Sequence, residues 1–360
     1  MKKTVFSVFI LFAVIYIYGC KTAVSPAVPD ATNTPNATQT IEAVVSGADA
    51  IHAAQTAAAI LSATPTPTIN VQFLKKWGSL GTTDGKFKEP FAAAIDSTTG
   101  RVYVADTENN RIQVFDSNGI FIRKWGSTGT ADGQFNYPYG VAIDSTTGRV
   151  YVSDGDNSRI QIFDTNGTFI GKWGIFGTAD GQFNLPYGVA TDSSTGRVYV
   201  ADANNNRIQV FDTNGTFIKK WGSAGAADGQ FNYPYGLATD SSTGRVYVAD
   251  TSNHRIQVFD INGTFIKKWG SNGTADGQFK YTYGVATDSS TGRVYVADAD
   301  NNRIQMFDTN GVFITKWGSL GAADGQFNNP CDVTLDSAGR VYVVDVFNRR
   351  IQVFKPYSWE

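Results

Sequence analysis

The chain has 360 residues, of which 42% are apolar and 13% aromatic, and this is enough for a large buried core. Its formal net charge of −2 gives no indication of a surface for nucleic acid or anionic lipid. Two cysteines and two histidines are too few for a disulfide framework or a histidine-based metal site, and no cofactor is predicted. The 37 glycines, 24 phenylalanines and 16 tyrosines favour a turn-rich, all-β protein.

The N-terminal segment has the pattern of an export signal. Lys2 and Lys3 precede an apolar run over residues 5–18, which is short for a membrane span but fits a signal peptide. The following IYGC resembles a bacterial lipobox, in which cleavage before the cysteine is followed by its acylation. We predict a signal peptide at 1–19 and lipidation of Cys20. Because Tyr18 is bulkier than usual, a cleaved but unlipidated signal and an uncleaved short anchor remain alternatives.

Residues 20–68 are rich in Ala, Thr and Pro, a composition typical of an extended tether. With a lipid on its first residue, this tether would hold the following domain away from a membrane. The predicted location is therefore the cell envelope, on the periplasmic side or at the cell surface, with membrane contact through the lipid anchor.

The rest of the chain is built from a repeated unit. Tryptophan recurs every 48 residues, at Trp77, Trp125, Trp173, Trp221, Trp269 and Trp317. Asp-Gly pairs keep the same spacing and begin at Asp84, Asp132, Asp180, Asp228, Asp276 and Asp324. A fixed period of this length is typical of a solenoid or a propeller.

One unit, residues 137–174, shows the predicted strands. They are YGVAID, RVYVSD, RIQIFD and TFIGKWG, and Asn166-Gly167 between the last two is a strong hairpin signal. The middle strands are apolar on both faces, so both sides of each sheet must be covered. Radially packed four-stranded sheets satisfy this requirement, and we predict a six-bladed β-propeller.

The unit P-Y-G-V-A-x-D, G-R-V-Y-V-A-D, N-x-R-I-Q-V-F-D and G-x-F resembles the NHL repeat, and Asn253-His254-Arg255 comes nearest to its eponymous tripeptide. The resemblance covers roughly residues 69–354 and implies a six-bladed propeller domain at 69–360. It also implies that the loops between blades and the loops after VAD share one face, and that the domain serves protein interaction.

The sixth unit stops after RIQVF, at Phe354, where Lys355-Pro356 replaces the Asn-Gly turn of the other units. Proline discourages a further ladder strand, so the last blade is predicted to lack its outer strand. FLKKW at 73–77 matches FIKKW at 217–221 and 265–269. We therefore predict that the strand at about 69–77 completes the last blade and closes the ring.

Residues present in every unit are most simply structural. The tryptophans and the phenylalanines that follow the Asp-Gly pairs are expected to pack between blades. Asp106 and Arg111, with their counterparts, are expected to form an ion pair that braces a loop. A ring of ligand-binding arginines is the alternative. DGDN at 154–157 resembles a calcium loop only faintly, because the later ligands are missing.

The positions where the repeats differ are more informative about function. At the start of the innermost strands stand Phe91, Tyr139, Tyr187, Tyr235, Tyr283, Cys331 and Asp332. We predict that they ring one mouth of the central channel and form the possible ligand-binding site. The alternative is that the aromatic side chains pack on one another and plug the channel. Ile175, Phe176 and Phe347 add unusual apolar residues in neighbouring loops.

No set of residues in the sequence predicts catalysis, and no metal site is predicted. The leading hypothesis is a monomeric, non-catalytic binding or scaffold module for an unknown protein partner. A lectin-like domain for an envelope glycan is the alternative, because repeated weak sites gain from multivalency. A metal-dependent lyase is the third class, and it lacks histidine pairs. Binding of nucleic acid is not expected.

Overall fold

The computed structural model describes residues 69–358. The predicted signal peptide at 1–19, the acylated Cys20 and the tether lie outside these residues. Within them, six antiparallel four-stranded sheets follow one another, and each corresponds to one repeat unit. The predicted all-β, six-bladed propeller is confirmed. No helix in this part of the chain is long and apolar enough to span a membrane.

Each blade has four strands, which follow one another from the channel outward. The inner strands are β2 (Pro90–Ile95), β6 (Pro138–Asp144), β10 (Pro186–Asp192), β14 (Pro234–Asp240), β18 (Thr282–Asp288) and β22 (Pro330–Leu335). The second strands are β3 (Val102–Asp106), β7 (Arg149–Asp154), β11 (Arg197–Asp202), β15 (Arg245–Asp250), β19 (Arg293–Asp298) and β23 (Val341–Asp345). The third strands are β4 (Arg111–Phe115), β8 (Arg159–Asp164), β12 (Arg207–Asp212), β16 (Arg255–Asp260), β20 (Arg303–Asp308) and β24 (Arg350–Ser358). The outer strands are β5 (Phe121–Trp125), β9 (Phe169–Trp173), β13 (Phe217–Trp221), β17 (Phe265–Trp269), β21 (Phe313–Trp317) and β1 (Ile69–Trp77). Short 3₁₀ turns lie at Thr107–Asn109, Ala203–Asn205 and Thr251–Asn253.

The core lies between the blades. The second strand of blade 1, VYVAD, is buried along its whole length. Tyr103 and Val114 of blade 1 share one apolar cluster with Val150 and Phe163 of blade 2, and Phe135 of the connecting loop is fully buried among them. Trp125 contacts Phe163 of the next blade at a ring distance of 5.6 Å. The predicted packing of tryptophan and phenylalanine between blades is confirmed.

Strand β1 pairs with β24, so the first described strand completes the last blade as predicted. Trp77 then contacts Tyr342 of blade 6 and Phe115 of blade 1, with ring centroids 6.2 and 5.9 Å apart. One detail of the prediction is wrong, because β24 does not stop at Phe354 but runs through Pro356 to Ser358. Proline is tolerated there because the pairing of β24 with β23 reaches only to Phe354, which lies opposite Val341. Beyond Phe354, β24 has only β1 as a neighbouring strand.

The predicted aspartate–arginine pair is present in every blade. In blade 1, Arg111 Nε lies 2.7 Å from Asp106 Oδ2, and both side chains are nearly inaccessible to solvent. The two terminal nitrogens of Arg111 donate to the carbonyl oxygens of Thr82, Thr83 and Lys86 in the preceding interblade loop. Since all three nitrogens of its guanidinium group donate inside the fold, this arginine braces the loop and does not belong to a ring of free ligand-binding groups.

Candidate functional site at the centre of the propeller

One face of the propeller carries both the interblade loops and the loops after the second strands. Asn109, in the loop after β3, donates to the carbonyl oxygen of Gly81 in the interblade loop at 3.0 Å. The inner strands begin at this face, and we call it the tyrosine face. The opposite face carries the Asn-Gly hairpins and the turns that follow the inner strands.

Five aromatic residues at the start of the inner strands pack on one another at the tyrosine face. Tyr187 and Tyr235 stack with ring centroids 4.1 Å apart, and Tyr139 lies 4.4 Å from Tyr187. Tyr235 also contacts Phe91 at 5.8 Å, although the two residues stand on blades 4 and 1, on opposite sides of the ring. Tyr283 completes the cluster at 4.8 Å from Tyr235. The mouth of the channel is therefore closed by a plug of these five residues.

Burial differs among chemically identical tyrosines of the plug. Tyr187 and Tyr235 are buried, whereas Tyr139 and Tyr283 are partly exposed. Burial, together with Asp156 beside one ring and Asp300 beside the other, raises the pKa of Tyr139 and of Tyr283 to about 12. The hydroxyl of Tyr235 is buried and has no hydrogen-bond partner within residues 69–358.

A second set of tyrosines, which sequence reasoning missed, surrounds the plug. Tyr137, Tyr233 and Tyr281 come directly before their inner strands and have positive φ angles of 52°, 61° and 54°. Tyr137 and Tyr281 are 38% and 41% exposed. The available signal was their recurrence at one position of the repeat, where Leu185 stands in blade 3.

Tyr233 and Tyr281 of this outer set line a shallow pocket of about 320 Å³ on the tyrosine face, together with four residues of the plug, Phe91, Tyr187, Tyr235 and Tyr283. Its polar groups are hydroxyls, since Thr251 and Ser252 complete the wall and the hydroxyls of Tyr187 and Tyr233 lie 3.2 Å apart. Such a mixture of ring faces and hydroxyl groups suits contact with an amphipathic surface.

Blade 6 departs from the others at Cys331 and Asp332. The thiol of Cys331 is buried and donates to the carbonyl oxygen of Phe91 at 2.8 Å. Burial, with the Asp332 carboxylate nearby, raises the pKa of this thiol well above its ordinary value, which disfavours a thiolate nucleophile. Asp332 Oδ2 accepts the backbone N–H of Ala93 at 2.9 Å, and burial raises the pKa of this carboxyl to about 7.

Asp332 takes the place of a glycine found in four other blades. At Gly188 a side chain would meet the carbonyl oxygen of Tyr235 at 2.2 Å, because neighbouring inner strands approach closely at this level. At the seam between blades 6 and 1, Asp332 is accommodated because its carboxylate bonds the backbone of β2. The channel wall is therefore asymmetric at this seam.

Below the plug, the inner strands enclose a channel cavity of about 240 Å³. Phe91, Tyr139 and Tyr235 lie at its closed end, and small residues such as Gly188 and Ala190 form much of its wall. Asp332 is the one charged side chain among the residues that line it. The fold brings Phe91, Tyr139, Tyr235, Cys331 and Asp332 to the same cavity, while Tyr187 and Tyr283 line the tyrosine-face pocket. Whether any of these residues binds a ligand stays a prediction.

The loops with the faint calcium-like sequence use their carboxylates structurally. Asp154 is fully buried, accepts from Arg159 and Asn157, and lies in the ion pair of blade 2. Within the described part of the chain, no group of three or more His, Cys, Asp or Glu side chains could hold a metal ion. The unusual apolar residues are exposed, with Ile175 at 64%, Phe176 at 71% and Phe347 at 42%.

Several solved structures are similar to this chain in fold. A protein of unknown function from Bacteroides thetaiotaomicron matches with a TM-score of 0.63 at 17% identity, covering 81% of this chain and 76% of that one. A gluconolactonase from Xanthomonas campestris matches with a TM-score of 0.55 at 13% identity, covering 76% and 88%. The hydrazine synthase of Kuenenia stuttgartiensis matches with a TM-score of 0.53 at 12% identity, covering 76% and 97%. At these identities the likeness shows the fold alone, and the gluconolactonase shows that this fold also occurs in enzymes. A search of curated proteins found no match.

The model of the NHL repeat matches five stretches of the chain, at residues 87–115, 135–163, 183–211, 231–259 and 284–307. The sixth unit is not matched, although it folds in the same way. It is the unit that carries Cys331 and Asp332 in place of Tyr-Gly, and its first turn, DSAG, is one residue shorter than the DSTTG and DSSTG of the other units. Sequence and fold thus agree, and the chain is an NHL-repeat protein with a six-bladed β-propeller.

Proposed function

We propose that the propeller is a non-catalytic binding or scaffold module that recognises a protein partner through the tyrosine face. The observation that carries this proposal is the pocket of about 320 Å³, in which the exposed Tyr281 and the partly exposed Tyr233 lie beside the aromatic plug. Tyrosine supplies a large contact area and a hydroxyl at low cost in conformational entropy, and it is enriched at the centre of protein interfaces.

The rest of the molecule supports binding over catalysis. The arginine of each blade is held in a buried ion pair, and Cys331 is a buried thiol with a raised pKa. The side chains that line the tyrosine-face pocket are aromatic and hydroxyl groups, which suit binding.

Site-specific photo-cross-linking in cells that produce the full chain tests the proposal. A photoreactive phenylalanine analogue is placed at Tyr137 or Tyr281 and, as a control, at the exposed Thr146 on the opposite face. We expect a discrete protein adduct from the two tyrosine positions and none from position 146. Equal adducts from all three positions, or none from the tyrosine face, would contradict the proposal.

The same cells test the proposed envelope location. We propose that Cys20 carries a lipid that holds the module at a membrane, with the tether at 20–68 as spacer. In the Cys20→Ala variant, acyl labelling and the membrane-bound fraction should both disappear. Unchanged labelling would contradict the lipid anchor but leave the binding face untouched.

A glycan is the second candidate ligand for the same face. The hydroxyls of Tyr233 and Ser252 beside aromatic rings favour it, because sugars bind through ring stacking and hydroxyl hydrogen bonds. Binding to a glycan array that is lost in Tyr233→Phe and in Tyr281→Ala would support this candidate. An array without binding, together with a protein adduct, would exclude it.

A further inference from the structure

The carboxylate of Asp332 lies in the channel without a cationic partner. It accepts one hydrogen bond from the backbone of Ala93, but no lysine, arginine or histidine of residues 69–358 forms an ion pair with it. The buried aspartates that end the second strands differ in this respect, because each of them is paired with an arginine. An ionised carboxylate away from bulk water is unfavourable unless a positive group compensates it.

The closed end of the cavity offers further contacts for such a positive group. The rings of Phe91, Tyr139 and Tyr235 lie at this end, and an ammonium group is attracted to the face of an aromatic ring. The Tyr235 side chain is 7% exposed, and its hydroxyl has no partner among the described residues. A buried hydroxyl without a hydrogen bond is costly, so a ligand that supplies the missing partner would be favoured.

A ring of aspartates surrounds the open end of the channel. Each inner strand ends with an aspartate or is directly followed by one. These residues are Asp96, Asp144, Asp192, Asp240, Asp288 and Asp336. Although burial alone would raise the pKa of Asp144, hydrogen bonds from Thr147 and Ser193 lower it below the ordinary value. The Asp144 carboxyl is therefore charged at neutral pH, and Ile143, Thr191 and Thr287 at this end of the channel are partly exposed.

We propose that the channel binds a primary alkylammonium group, with its nitrogen between the Asp332 carboxylate and the rings at the closed end. The slender alkyl chain would run along the wall of glycine and alanine toward the aspartate ring. At about 240 Å³ the cavity is smaller than the 300–1,000 Å³ common for drug-sized ligands, which limits it to a thin, unbranched molecule. A free aliphatic amine and a lysine side chain of another protein share this chemistry. The inference is independent of the partner proposed for the tyrosine face.

The binding should depend on pH through Asp332. The pKa of this carboxyl is about 7, while burial raises the pKa of Cys331 and of Tyr235 well above the ordinary values and those of Tyr139 and Tyr283 to about 12. The strands packed against β22, and the residues next to those strands, carry other titratable or charged groups. None of these groups lines the cavity. They are Glu89, Asp96, Asp288, Arg293, Tyr295, Asp298, Tyr342 and Asp345. Asp332 is thus the group in the cavity that changes charge between about pH 5.5 and pH 8.5. Below pH 7 it must lose its proton to pair with an ammonium ion, so binding there releases a proton.

Isothermal titration calorimetry of the full chain in amine-free buffer tests the proposal. The probes are 1,4-diaminobutane, the uncharged 1,4-butanediol and an N-acetyl-lysine amide. We expect the diamine to bind at pH 8 at least tenfold more tightly than the diol, and more weakly at pH 5.5. At pH 6, two buffers of different ionisation enthalpy should reveal the release of up to one proton. Binding of the lysine amide at the diamine's affinity would favour a protein lysine as the ligand, and its absence a free amine.

Variants assign the binding to this cavity. Asp332→Asn should lower the affinity at least tenfold and abolish proton release, while Tyr235→Phe should weaken binding severalfold. Asp276→Asn, which removes an exposed carboxylate on the outer surface, is the matched control and should bind like the wild type. Equal binding of diamine and diol, or unchanged binding in Asp332→Asn, would overturn the proposal. If Asp332→Asn does not fold, the proton release of the wild type and the Tyr235→Phe affinity decide in its place.

Discussion

Blades 3 and 6 follow the same four-strand plan, but they differ at both edges. The outer strand of blade 3 continues directly from its hairpin, and its pairing runs from Phe211–Phe217 to Ile208–Trp221. The outer strand of blade 6 comes from the other end of the propeller sequence, and its pairing is longer, from Ile69–Ser358 to Trp77–Ile351. A contact between residues so distant in sequence must overcome a larger loss of chain entropy, and the longer ladder compensates for it.

The inner edges differ as well. Blade 3 presents Tyr187 and Gly188 to the channel, where backbone and ring packing leave no room for another side chain. Blade 6 presents Cys331 and Asp332, which form hydrogen bonds with the backbone of β2 across the seam. The seam is therefore where ring closure and the one charged residue of the channel wall come together.

Removing the closure strand should give the largest change. Deletion of residues 69–77 leaves β24 as an unpaired edge and removes Trp77 from between blades 6 and 1. We expect the melting temperature to fall by roughly 10 °C or more, because several buried contacts are lost together. Thermal unfolding followed by circular dichroism measures it, with Leu74→Ala, at an exposed position of the same strand, as the control. An unchanged melt of the deletion would contradict closure by β1.

The buried ion pair of blade 6 should contribute as much to the free energy of unfolding as the ion pair of an internal blade. Asp345→Ala in blade 6 and Asp154→Ala in blade 2 each leave an arginine buried without its partner. We expect each to lower the free energy of unfolding by about 3–5 kcal/mol, measured by urea titration. Lys220→Ala, which breaks an exposed pair with Asp180, should cost less than about 1 kcal/mol. A much smaller loss at Asp345 than at Asp154 would show that the seam blade is held together differently.

The smallest effect concerns Asp332 and sharpens the difference between the inner edges. Burial raises its pKa from the ordinary 3.8 to about 7, so the folded protein keeps a proton that the unfolded chain releases. The free energy of unfolding should therefore fall as the pH rises from about 4 to about 7, and this contribution is constant above it. Because the carboxylate keeps some contact with the channel, we expect Asp332→Asn to be more stable than the wild type by about 1–2 kcal/mol above pH 7.

Urea titrations of both proteins across this pH range, in amine-free buffer, measure the difference. Asp276→Asn serves as the control, since its exposed carboxylate should leave the pH profile unchanged. If the free energies of unfolding of the wild type and Asp332→Asn changed with pH in parallel, Asp332 would be ionised over the whole pH range of the titrations.

The repeat made most of the fold predictable from sequence. Six copies of one pattern specify the blades, and the missing Asn-Gly turn after Phe354 identifies the incomplete one. The prediction of where β24 ends was wrong because of Pro356. A proline interrupts a strand only where a neighbouring strand needs a backbone N–H donor at that position. That neighbour is set by the length of β23, which the local sequence does not reveal.

The centre of the site was predictable in composition but not in geometry. Four tyrosines at equivalent positions have similar local sequences, yet their contacts differ. Tyr235 contacts Phe91 of the opposite blade, whereas Tyr187 contacts tyrosines of the two neighbouring blades. Such a difference follows from the packing of all six inner strands, so it cannot be read from a single repeat. The exposed Tyr137 and Tyr281 were missed because their positive φ places them outside the regular strands.

The pairing of Ile69 with Ser358 brings the first and last described residues of the propeller side by side. A short linker between them would turn β24 and β1 into an ordinary hairpin of the kind found in the other blades. New termini could then be placed at Asn214-Gly215, in a hairpin of blade 3, with every strand pairing retained. The propeller is thus suited to circular permutation. In the permuted chain, the blade completed by both chain ends would be the one in which the new termini are placed.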